Sequence, residues 1–104
     1  WNGLSTLAFS QICAGIIKNK NIKSGVHHVV PTEVVSKQQL VEGIARAFGR
    51  EDISVSPVET AVSVDRTLST EDSNYNAKLW NQAGYSEIPS VTQLLMEYAQ
   101  SLNT

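Results

Sequence analysis

Cysteine is nearly absent from the sequence, which has Cys13 alone among 104 residues. A single cysteine cannot form an internal disulfide, so nothing in the sequence indicates an oxidising compartment. Cys13 lies in the apolar stripe of a predicted helix without a flanking charge to stabilise a thiolate, which favours a core thiol over a nucleophile. Aromatic residues are also few, at 7%. We therefore expect one small domain with a modest, mainly aliphatic core.

Positive charge is scarce too. Eight Lys and Arg residues stand against ten Asp and Glu, which gives a formal net charge of -2, and no long basic run occurs. Binding to nucleic acid depends on clustered cations that neutralise phosphates, so this composition disfavours it. No apolar run is long enough to cross a bilayer. The sequence thus predicts a soluble, cytoplasmic protein that contacts neither nucleic acid nor membrane.

Motifs for catalysis, cofactors and metals are missing as well. The six glycines are dispersed, and none has the spacing of a dinucleotide or P-loop phosphate cradle. His27 and His28 are adjacent in a predicted strand, where they would point to opposite faces, and no Cys, Asp or Glu completes a ligand set. A Ser/His/Asp triad built from His28 and Asp65 lacks a nucleophile-elbow pattern. We predict no catalytic, cofactor-binding or metal-binding residue.

Four helices are predicted from apolar residues at helical spacing and from capping residues. Ser36 with Gln39 and Ser90 with Gln93 have the spacing of capping boxes, in which each side chain bonds a free backbone N–H of the first turn. The helices are expected over about 5–18, from 36 to a stop at Gly49, over about 74–83 with a stop at Gly84, and from 90 onward.

Two short strands complete the expected fold. Residues 26–30, ended by Pro31, are rich in β-forming residues, and residues 53–56, closed by Pro57, alternate apolar with polar. A strand–helix–strand order predicts parallel pairing with the helix as crossover. The expected class is therefore α/β and helix-rich: four helices with a small two-stranded parallel sheet. Two strands alone make a poor sheet, and the chain begins at Trp1, so we expect a segment of a longer protein.

Arg66 is the first candidate binding residue. It lies in an aperiodic stretch beside the hydroxyl residues Thr67 and Ser69. A guanidinium can hold phosphate oxygens in a bidentate fork, and hydroxyls can add further hydrogen bonds. The alternative is a surface arginine paired with Asp65 or Glu71.

Trp1 and Asn2 form the second candidate. They stand just before the first helix, where an indole face and an amide could stack on and orient a ring-shaped ligand. The alternative is a terminal segment packed against whatever precedes it.

Five short motifs follow one another along the chain. They are WNGLSTL at 1–7, GVHH at 25–28, VSKQQL at 35–40, VDRTLS at 64–69, and KL followed by GY within 78–85. Together they resemble the C-terminal, substrate-binding part of extended short-chain dehydrogenase/reductases, and within them the dTDP-4-dehydrorhamnose reductase-like enzymes. The resemblance spans essentially the whole chain. Thr67 departs from it, because proline is common at that position.

The resemblance implies that cofactor binding and substrate binding belong to different domains. In such enzymes an N-terminal Rossmann domain binds NAD(P) and supplies a Tyr-x-x-x-Lys pair; none of the three tyrosines here has a lysine four residues later. By this analogy Arg66 contacts the substrate diphosphate, with Ser69 beside it, and Trp1 and Asn2 line the sugar or nucleotide side. The chain alone would hold no cofactor and would be inactive.

The sequence thus predicts that residues 1–104 are the substrate-binding domain of an NAD(P)-dependent reductase acting on a nucleotide-linked 4-keto sugar, in nucleotide-sugar and cell-surface polysaccharide biosynthesis. The missing Rossmann domain is an expected partner, and an apolar patch should face it. Two alternatives stay open: a non-catalytic binding module, and a domain kept for oligomer contacts, including a homo-oligomer.

Overall fold

Four α-helices form the fold in the computed structural model, which describes residues 1–20, 23–56 and 64–102. They are α1 Thr6–Asn19, α2 Lys37–Ala47, α3 Ser73–Gln82 and α4 Val91–Ser101. All four confirm the helices predicted from the sequence. The predicted α/β class is wrong, because the described ranges contain no strand and hence no parallel sheet. None of the helices within those ranges is long and apolar enough to span a membrane.

Each helix begins after a residue whose side chain accepts a hydrogen bond from the first turn. The capping residues are Ser5, Ser36, Asp72 and Ser90. Both predicted capping boxes are confirmed, since Gln39 and Gln93 bond back to the backbone N–H of Ser36 and Ser90. Each such cap contributes about 1 kcal/mol, so the helix starts follow from local sequence.

The core lies where α1 crosses α3, with α4 closing one side. Its buried members are Ala8, Ile12, Leu79, Trp80 and Leu94. The helices approach closely at Gly15, where an added Cβ would come 2.8 Å from the backbone oxygen of Gln82. Helix α2 packs on α4 and stands apart from this core.

Residues 26–30, predicted as a strand, are irregular, and side chains of α3 bond both backbone groups of Val30 at the end of this segment. The backbone N–H of Val30 donates to Asn76 Oδ1 at 3.0 Å. The Val30 carbonyl accepts from Asn76 Nδ2 at 3.1 Å and from Trp80 Nε1 at 2.9 Å. Asn76 is only 5% exposed and Trp80 is fully buried. At Val30 the backbone groups that a neighbouring strand would use are therefore occupied by a helix.

The second predicted strand, residues 53–56, is irregular as well. Ile53 remains 43% exposed, so its alternation with polar neighbours does not mark the buried face of a sheet. Pro57, predicted to close this strand, lies outside the described residues. With residues 26–30 bound to α3, residues 53–56 have no strand to pair with, and a lone pair of strands would be marginal in water.

The apolar stripes of the helices are wider than the surfaces that cover them. On α1, Phe9 is 58% and Ile17 74% exposed. Ile44 on α2 and Phe48, which caps its C-terminal end, are 40% and 41% exposed. Large apolar side chains of the described residues are thus left uncovered on both helices.

Replacing Asn76 tests whether α3 holds residues 26–30. Asn76→Ala removes both of its bonds to Val30 and should lower the free energy of unfolding by about 1–3 kcal/mol, since the Val30 N–H loses its partner and the carbonyl keeps only the Trp80 indole. Asn81→Ala, an exposed position on the same helix, is the matched control and should change stability little. Urea denaturation measures both; equal stability of the two variants would contradict this account.

Candidate functional site

A buried asparagine joins the two segments that the sequence singles out. Asn2 is 3% exposed, and its Nδ2 donates to the Leu68 carbonyl at 2.8 Å. Its Oδ1 accepts from the Leu68 backbone N–H, also at 2.8 Å. The amide thereby matches both polar groups of one residue 66 positions away. Asn2 therefore acts as a clamp that fixes the loop around Leu68 against the start of α1.

Within that loop Arg66 is exposed and forms no hydrogen bond or ion pair with the described residues. Asp65, the partner proposed in the surface alternative, is engaged elsewhere: its Oδ1 accepts from the Thr67 backbone N–H at 3.0 Å. Hydrogen bonds from Thr67 hold the pKa of Asp65 below its usual value. Within the described residues Asp65 therefore does not pair with Arg66. Residues 57–63, the first part of the predicted aperiodic stretch, lie outside the described residues.

A polar cleft of about 530 Å³ separates this loop from the segment that follows α1. Its lining residues are Lys23, Val26, His27, His28, Thr67, Leu68, Ser69, Thr70, Glu71 and Asp72. Two contacts bridge its walls: His28 Nδ1 lies 3.1 Å from the Ser69 carbonyl, and Lys23 pairs with Asp72 at the N-terminus of α3. Ser69, a predicted binding residue, thus lines a cleft that sequence reasoning did not identify.

Both histidines line this cleft, which corrects the expectation that they point to opposite faces of a strand. The reason is that residues 26–30 are not a strand. The His27 ring packs edge-on against Tyr75 with centroids 4.7 Å apart, and its Nε2 lies 3.2 Å from the Ser24 carbonyl. In the described residues no group of three or more His, Cys, Asp or Glu could hold a metal ion.

The two imidazoles have opposite tautomers, assigned from their partners. A carbonyl oxygen only accepts, so the ring nitrogen facing it carries the proton. His28 is therefore protonated at Nδ1 and His27 at Nε2. In the neutral rings the other nitrogens, Nε2 of His28 and Nδ1 of His27, are acceptors. The partner of His27 is local, three residues away, whereas the partner of His28 is 41 residues away.

Trp1 faces a different cavity from Ser69. It lines an apolar groove of about 340 Å³ between α2 and α4, together with Leu4, Leu40, Ile44, Phe48, Val91, Leu94, Leu95 and Tyr98. An added Cβ on Gly3 would overlap the Trp1 ring, so glycine is needed there. The backbones of Trp1 and Val35 exchange two hydrogen bonds. The structure thus brings Asn2, Arg66 and Ser69 to one loop and places Trp1 in the groove.

The glycines with positive φ do not build a phosphate cradle. Gly49 and Gly84 have φ of 67° and 103° and follow the C-terminal ends of α2 and α3. A dinucleotide loop precedes a helix N-terminus, where free N–H groups and the helix dipole favour phosphate. Neither Gly49 nor Gly84 stands in that position. Both glycines instead confirm the helix stops predicted from the sequence.

Comparisons of this chain with protein-family models, with curated proteins and with solved structures find no match. Any function has to be argued from the residues and geometry described above.

The Asn2 clamp predicts local protection of the loop. Asn2→Ala removes both bonds to Leu68, so the Leu68 amide should exchange with solvent faster and the free energy of unfolding should fall by about 1–3 kcal/mol. Hydrogen exchange followed by NMR reports on both. Asn74→Ala, an exposed position on α3, serves as control. Unchanged protection at Leu68 in Asn2→Ala would show that other contacts hold the loop.

The cleft wall at Asp72 predicts a pH-dependent stability. The Lys23 side chain, and secondly the Tyr75 backbone N–H, hold the pKa of Asp72 below its usual value. A lowered folded-state pKa stabilises the fold above the ordinary pKa of aspartate, and this contribution is lost as pH falls through the lowered value. Asp72→Asn keeps the helix cap but loses the charge.

The melting temperature of Asp72→Asn should therefore lie below that of the parent chain at neutral pH. The difference between the two melting temperatures should disappear in acid. Glu71→Gln removes a charge from the adjacent position and should show no comparable closing gap in the same calorimetric series. A gap for Asp72→Asn that persists at the acid end would refute the charge contribution.

Proposed function

We propose that this chain is the substrate-binding part of an NAD(P)-dependent reductase that acts on a nucleotide-linked 4-keto sugar. The observation that carries the proposal is the Asn2–Leu68 clamp. It holds the WNGLSTL motif against the VDRTLS loop, so two of the segments that resemble such reductases lie against each other.

Arg66 is the group that binds the diphosphate in this proposal. It is exposed and unpaired among the described residues, and the neighbouring Asp65 carboxylate is occupied by Thr67. A guanidinium offers two parallel N–H donors to phosphate oxygens and remains charged at any relevant pH. Ser69 adds a hydroxyl on the same loop. Both polar atoms of the Asn2 amide bond the backbone of Leu68, so in this proposal Asn2 positions the loop.

The cofactor and the catalytic Tyr-x-x-x-Lys pair come from a Rossmann domain in this proposal. Among the described residues, Phe9, Ile17, Ile44 and Phe48 are large apolar side chains that remain exposed. A docked domain of the same polypeptide would cover them.

A self-associating, non-catalytic module is the second candidate. Val41, Ile44, Phe48 and Met96 give α2 and α4 an exposed apolar face, which a second copy could also cover. The two candidates differ in what precedes Trp1 in the gene. A glycine-rich βαβ unit followed by Tyr-x-x-x-Lys is expected for the reductase, and its absence would exclude it. Sedimentation of the chain alone measures self-association.

Removing the Arg66 side chain tests the reductase proposal. In the parent protein Arg66→Ala should weaken binding of a UDP- or dTDP-sugar by about 1.5–3 kcal/mol, the range for a charge-assisted hydrogen bond. Arg46→Ala removes the same charge from an exposed position on α2 and should leave affinity unchanged. Isothermal titration calorimetry compares them. Equal affinity of parent and Arg66→Ala would remove Arg66 from the site.

A further inference from the structure

We propose that the polar cleft between residues 23–28 and 67–72 binds a neutral, polyhydroxylated ring, with His28 Nε2 accepting a hydrogen bond from one of its hydroxyls. The assignment of this ring to the glycosyl group of a nucleotide sugar rests on the proposed function. The cleft itself is argued from its own geometry and charge.

The orientation of His28 is set before any ligand arrives. Its Nδ1–H donates to the Ser69 carbonyl at 3.1 Å, which leaves the Nε2 lone pair of the neutral ring without that partner. His28 lines the cleft. An acceptor whose ring is already fixed loses little conformational entropy when it binds a hydroxyl. His28 is thus suited to recognise an O–H group.

The remaining walls are also held in place. Lys23 pairs with Asp72 and lies 5.3 Å from the centre of the Tyr75 ring. The His27 ring packs on the same Tyr75. The Asn2 clamp fixes Leu68 on the opposite wall. The cleft therefore has two bridged walls, and its volume of about 530 Å³ lies within the roughly 300–1,000 Å³ of ligand pockets.

The charge of the lining decides against phosphate as the occupant. Lys23 is neutralised by Asp72, and the Glu71 carboxylate then leaves a formal charge of about -1. A diphosphate would be repelled there, whereas a neutral ring would not. Arg66 lies one residue before the first lining residue of the loop, Thr67, so a cation is adjacent to the cleft for a phosphate outside it.

The polar groups match a ring that both donates and accepts hydrogen bonds. The hydroxyls of Thr67, Ser69 and Thr70 can do either, and Glu71 accepts. Apolar contacts are present too: Val26 is 90% exposed and Leu68 44%, and both line the cleft. Such side chains can cover the C–H face of a pyranose while the polar groups bind its rim.

NMR titration of the isotope-labelled chain tests the assignment. The neutral probes are the methyl glycosides of glucose, galactose and rhamnose, and the anionic probe is inorganic pyrophosphate. At least one glycoside should shift the signals of His28 saturably in the millimolar range. Pyrophosphate should shift those of Arg66 and leave His28 unchanged. Shifts of His28 by pyrophosphate, or none by any glycoside, would overturn the proposal.

Two variants separate a ligand contact from a structural role. His28→Asn can keep a donor near Nδ1 for the Ser69 carbonyl but has no group at the Nε2 position. His28→Gln can place an amide oxygen near Nε2. We expect His28→Asn to weaken glycoside binding about tenfold, the effect of one lost hydrogen bond, and His28→Gln to retain more of it. Wild-type affinity in His28→Asn would refute the role of Nε2.

The tautomer is measured directly from the imidazole nitrogen shifts, and a proton on Nε2 of neutral His28 would also overturn the proposal. The outcomes separate this inference from the proposed function. Glycoside binding in the cleft, together with a parent protein that binds no nucleotide sugar, would retain the cleft and overturn the reductase assignment. Binding of a nucleotide sugar that leaves the NMR signals of His28 unchanged would retain the reductase assignment and overturn the cleft.

Discussion

The hydrogen bonds between α3 and the backbone of Val30 are the constraint on which the rest of the structure depends. Trp80 fills the core and donates its indole N–H to the Val30 carbonyl, and Asn76 bonds both polar groups of the same residue. Buried polar groups need such partners, because losing one costs about as much as a typical destabilising mutation. A helix therefore replaces the neighbouring strand that this segment would otherwise require.

The shape of the polar cleft follows from that substitution. Because residues 26–30 are irregular, His27 and His28 reach the same side of the chain, where Tyr75 and the Ser69 carbonyl fix their rings. The second wall depends on a separate constraint, the Asn2 clamp on Leu68. The cleft is thus assembled by two long-range polar contacts from segments that carry little regular structure of their own.

The two cavities differ in the chemistry of their linings: one is apolar and the other is polar. The groove at Trp1 is almost wholly apolar and lies between α2 and α4. The cleft at His28 is lined by hydroxyls, imidazoles and charges. Arg66 stands on the loop of the cleft, so the proposed phosphate-binding group lies beside the proposed ring-binding surface. A ligand with a phosphate part and a neutral hydroxylated part would use both.

The sequence by itself determined the helices, their caps and their stops, since Ser36, Ser90, Gly49 and Gly84 act within one or two turns of where they stand. It also singled out Asn2, Arg66 and Ser69, which lie on or against one loop. The prediction of two strands was wrong because β-pairing depends on a partner distant in sequence. Here Asn76 and Trp80 bond the backbone of Val30 instead. The tertiary structure alone decided the orientation of His28, the separation of Trp1 from Ser69 and the clamp, because each depends on contacts between residues more than thirty positions apart.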